Sequence, residues 1–70
     1  MNNIELICAS INRRIYTMSY SCESDVRGYL NSIEANEFKL SEGDSDNLAD
    51  MLDVNTNCIF DLLSDLELID

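Results

Sequence analysis

The apolar positions of this 70-residue chain change their period from one end to the other. Residues 4–21 satisfy two periods at once. Ile4, Ile7, Cys8, Ile11, Ile15 and Met18 fall on one stripe at helical spacing, and Asn2 with Glu5 has the spacing of a capping pair. The same stretch also divides at Asn12-Arg13 into segments 4–11 and 14–21. In the second segment Tyr16, Met18 and Tyr20 alternate with Thr17, Ser19 and Ser21, and Ile15-Tyr16-Thr17 with Tyr20 is β-favouring composition. That alternation predicts a β-hairpin over 4–21, with a helix as the competing reading.

Beyond it, Val26, Tyr29, Leu30 and Ile33 predict the buried side of a helix over 24–36 that opens at Ser24. Residues 37–40 suit a short third strand, and the polar stretch 41–47 reads as a loop. Two helices close the chain. Residues 46–52 turn Leu48, Met51 and Leu52 inward. Residues 56–68 turn Ile59, Leu62, Leu63 and Leu66 inward, behind a cap at Asn55 or Thr56. The expected fold is therefore α+β: an N-terminal β-hairpin, with the short third strand, packed with one helix and a C-terminal acidic helical pair. A small all-α bundle is the alternative. With no proline, no internal repeat and no convincing domain boundary, residues 1–70 are expected to form a single small acidic domain.

Composition supports folding. A chain of this length buries only about 60% of its unfolded surface, yet 46% of its residues are apolar and they are spread along its whole length. No stretch approaches the roughly 18 apolar residues of a membrane span. Met1-Asn2-Asn3-Ile4-Glu5 lacks the basic and apolar regions of a secretory leader. Cys8, Cys22 and Cys58 are odd in number and widely spaced, which suits buried thiols in a reducing, cytoplasmic setting.

Charge adds more. The net charge is −10, but residues 1–39 hold five acids and four bases, whereas residues 40–70 hold nine acids and no base. Asp46 and Asp50, like Asp61 and Asp65, are four apart, so each pair shares a helix face about 6 Å apart. Asp44 and Asp46 sit near a helix start, where the macrodipole compensates them. Asp65, Glu67 and Asp70 fall toward a helix end, where it opposes them. Arg13-Arg14 is the only basic spot. It reads as a solvated turn, with an acidic patch on a second copy or a partner as the other use.

Residues 48–66, Leu-Ala-Asp-Met-Leu-Asp-Val-Asn-Thr-Asn-Cys-Ile-Phe-Asp-Leu-Leu-Ser-Asp-Leu, resemble a helix-turn-helix. Ala49 stands at the small position of the first helix, and Leu52, Val54, Ile59 and Leu62 match the packing positions. Asp53 occupies the turn position that the family usually gives to glycine. The resemblance implies that Asn55, Thr56, Asn57, Phe60, Asp61 and Ser64 face a groove. Nucleic-acid affinity rests largely on Lys and Arg at phosphates. This helix has neither, and carries Asp61 and Asp65, so direct nucleic-acid binding is not expected.

The opposite use is mimicry of phosphate: a carboxylate array seated in the basic groove of a host nucleic-acid-binding protein, with fast steered association. In size, charge and layout the chain is similar to small phage-encoded DNA-mimic inhibitors, including anti-CRISPR proteins. That resemblance implies a nuclease, CRISPR effector or regulator as partner, in the host cytoplasm. The expected contact set is Asp46, Asp50, Asp53, Asp61 and Asp65, supported by Glu42, Asp44 and Glu67. An antirepressor or adaptor using apolar helix contacts, and a face that serves solubility alone, are the competing readings. Catalysis is not expected. There is no histidine, no close cysteine pair, no glycine-rich phosphate loop and no Ser/His/Asp set. Glu42, Asp44, Asp46 and Asp50 hint at calcium but lack the EF-hand order, so no metal or cofactor is expected. The chain is expected to act as a monomer or homodimer, without a membrane partner.

Overall fold

Ile4, Ile7, Cys8 and Ile11 are all buried. A strand would send Ile4 and Cys8 to one face and Ile7 and Ile11 to the other, whereas a helix gathers the four on one side. In the computed structural model, which describes residues 2–69, they lie on helix α1 (Asn3–Arg14). Three further helices follow: α2 (Tyr20–Ser32), α3 (Glu42–Leu52) and α4 (Thr56–Asp65). Met1 and Asp70, counted above in the leader and charge readings, lie outside the described residues. Among the described residues there is no strand. The α+β expectation is overturned, and the all-α alternative describes the secondary structure. No helix among the described residues is long and apolar enough to cross a membrane.

The chain separates into two compact units, Met1–Phe38 and Lys39–Asp70. In the first, α1 and α2 pair with each other. Asn2 caps α1 by accepting from the Glu5 amide at 2.8 Å, and the Asn36 side chain accepts from the Ile4 amide at 2.9 Å, so two of the helix's orphan donors are satisfied. Asn3 Nδ2 donates to the Ala35 carbonyl at 2.9 Å, tying the end of the unit back to its start. The predicted hairpin fails because its alternating residues lie in the connector between two helices and the first turn of the second. Met18 is buried and Tyr16 and Tyr20 are exposed, the latter at 92%. The Met18 amide donates to Asn12 Oδ1 at 2.9 Å and so finds a side-chain partner, not a neighbouring strand. Arg13 and Arg14 stand in the last turn of α1, where the dipole favours cations, and not in a turn between strands.

Helix α2 begins a turn earlier than Ser24, because Ser19 is its cap and accepts from the Cys22 amide at 3.2 Å. Val26 and Leu30 are buried, and Tyr29 and Ile33 only half-buried. The predicted third strand is absent. Phe38 is 60% exposed, and Leu40 makes a single parallel bridge with Ile69.

In the second unit α3 and α4 pack together as an αα-hairpin, with Leu48, Ala49, Leu52, Ile59, Leu62 and Leu63 buried. The stretch read as a loop is the start of α3. Ser41 and Asp44 form a reciprocal capping box, with Ser41 N to Asp44 Oδ2 at 2.9 Å and Asp44 N to Ser41 Oγ at 3.1 Å. Met51, expected inward, is exposed, while Ser45 is buried. Asn55 caps α4, which ends at Asp65, three residues short of the expected end. Leu40 N donates to the Leu68 carbonyl at 2.8 Å, closing the unit on itself.

Three helices end alike. Glu34, Asp53 and Glu67 take left-handed backbone (φ 56, 56 and 59°). The next residue's amide then returns five residues back: Ala35 to Leu30, Val54 to Ala49, Leu68 to Leu63. This is the Schellman arrangement with an acid in the place usually given to glycine, followed each time by an apolar residue.

Candidate functional site

The predicted contact residues distribute along both helices of the second unit. Glu42, Asp46, Asp50 and Asp53 recur at intervals of four, four and three, which keeps them on one stripe of α3. All four are exposed. Asp61 and Asp65 are exposed on one face of α4, and Glu67 is exposed just beyond it. Asp44 differs from the rest. It is half-buried, and its carboxylate is engaged in the cap of α3. Its position is explained by folding. Lys39 is the single base in the unit's sequence, against nine acids.

Asp46 is the carboxylate that joins the two helices. Thr56 Oγ1 donates to Asp46 Oδ1 at 2.5 Å, which brings the first turn of α4 against the middle of α3. Beside that bond lies a pocket of about 210 Å³ lined by Glu42, Ser45, Asp46, Thr56, Asn57 and Phe60. Phe60 is half-buried and Asn57 exposed. Reading 41–47 as a loop hid this pocket. The Ser41-Glu-Gly-Asp44 spacing was the available signal, since it starts a helix at residue 42 and puts Ser45 on the same face as Ala49 and Leu52.

The first unit holds its charges differently. Arg27 donates to Glu5 at 2.5 and 3.2 Å and to Glu23 Oε2 at 3.1 Å, while Asn12 Nδ2 donates to Glu23 Oε1 at 3.2 Å. Hydrogen bonding to Arg27 holds the Glu5 carboxyl below its usual range, and the same bonds, first to Glu5 and then to Glu23, raise the Arg27 guanidinium. Burial raises the Cys8 thiol beside this network. The three cysteines are free. Cys8 alone is buried, Cys22 is intermediate and Cys58 exposed, which corrects the expectation of three buried thiols. Among the described residues no three Asp, Glu or Cys side chains converge where they could hold a metal ion.

No protein-family model, no curated protein and no solved structure matches the chain.

Proposed function

We propose that the chain is a non-catalytic inhibitor that occupies the basic groove of a nucleic-acid-binding protein, such as a nuclease or CRISPR effector, through the acidic face of its second unit. The observation that carries this reading is the concentration of exposed carboxylates on one helical pair: Glu42, Asp46, Asp50 and Asp53 along α3, with Asp61, Asp65 and Glu67 along and beyond α4. Like charges four apart on a helix destabilise it by roughly 0.2–0.5 kcal/mol per pair. Asp53 and Glu67 are disfavoured twice over, by left-handed backbone and by the negative end of a helix. Binding to lysines and arginines gives these carboxylates a use, because each then steers and orients the partner.

The test is capture from a lysate of the source cells on the immobilised, intact chain. Captured protein should bind nucleic acid, be displaced by duplex DNA or RNA, and be released at about 0.5 M salt. The double variant Asp61→Lys, Asp65→Lys should capture nothing while keeping the parent's helical circular dichroism. Capture that survives both charge reversal and salt overturns the proposal and favours an adaptor using apolar contacts.

A further inference from the structure

We draw no further inference here: the strongest candidate, the surface patch of exposed Tyr16 and Tyr20 on the connector from α1 to α2 and the first turn of α2, carries nothing because nothing in the structure shows what covers it.

Discussion

The two units are both helix pairs of similar length, but they treat charge in opposite ways. In Met1–Phe38, five acids meet three arginines, and Glu5, Glu23, Arg27 and Asn12 form one connected network across α1 and α2. Its carboxylates are matched where the helices meet. In Lys39–Asp70, nine acids meet one lysine, and the acids stand on exposed stripes. Polar groups there that serve folding include the Ser41–Asp44 cap, the Asn55 cap and the Asp46–Thr56 bond. The difference teaches that Glu5, Glu23 and Arg27 are tied into the first unit's fold, whereas Glu42, Asp50, Asp53, Asp61 and Glu67 of the second stand exposed. The proposed partner contact draws on those exposed carboxylates.

The largest effect expected separates packing from charge. Leu48→Ala, at a fully buried position, should lower stability by about 2–5 kcal/mol, as should Leu30→Ala in the first unit. Asp50→Asn, on the exposed face, should change it by less than ~0.5 kcal/mol. Urea denaturation followed by circular dichroism measures all three. A loss with Asp50→Asn comparable to the leucine variants would show that the acidic face is structural after all.

The helix ends give a smaller and opposite effect. Asp53→Gly and Glu67→Gly should each raise stability by about 0.5–1 kcal/mol, which for a chain of this size is several degrees in the melting midpoint. Glu34→Gly should do the same in the first unit. Gly28→Ala, in the middle of α2 with open space where its Cβ would lie, should gain up to about 1 kcal/mol by calorimetry. The comparison sharpens if Asp53→Gly stabilises the fold while weakening partner capture, since stability and binding then pull on one residue in opposite directions.

Salt and pH give the smallest effects. Raising salt to about 0.5 M should slow amide exchange in α3 and α4 by screening like charges, and speed it slightly in α1 and α2 by weakening the Arg27 ion pairs. Equal slowing in both units would dissolve the contrast. For pH, Glu5 is held below its unfolded value of about 4.5. Its contribution is therefore present above that value and is lost as pH falls through the lower folded value. Between pH 6 and 3 the parent should lose more stability than Arg27→Gln, in which Glu5 has lost the partner responsible. Parallel curves for the two proteins would contradict the assignment.

The sequence by itself determined most of the helical stripes, the Asn2 and Asn55 caps and the separation of charge. Ile4, Ile7, Cys8 and Ile11 carried the period of α1, and the 40–70 acid excess was visible as a count. It misled where one residue serves two patterns. Tyr16, Met18 and Tyr20 alternate because a connector buries one methionine between two exposed tyrosines, and alternation over so few residues is the same for a strand and for such a crossing. Likewise Ser-Glu-Gly-Asp-Ser is loop-like in composition, and only the reciprocal cap between Ser41 and Asp44 turns it into a first helical turn. The pocket was beyond reach of the sequence. Glu42 and Phe60 are 18 residues apart, and what brings them together is the packing of α3 on α4 and the bond from Thr56 to Asp46. Periodicity reports which face of a helix is buried, and says nothing of which partner buries it. Tertiary structure decides that, and with it whether a carboxylate caps a helix, joins two, or stands open to solvent.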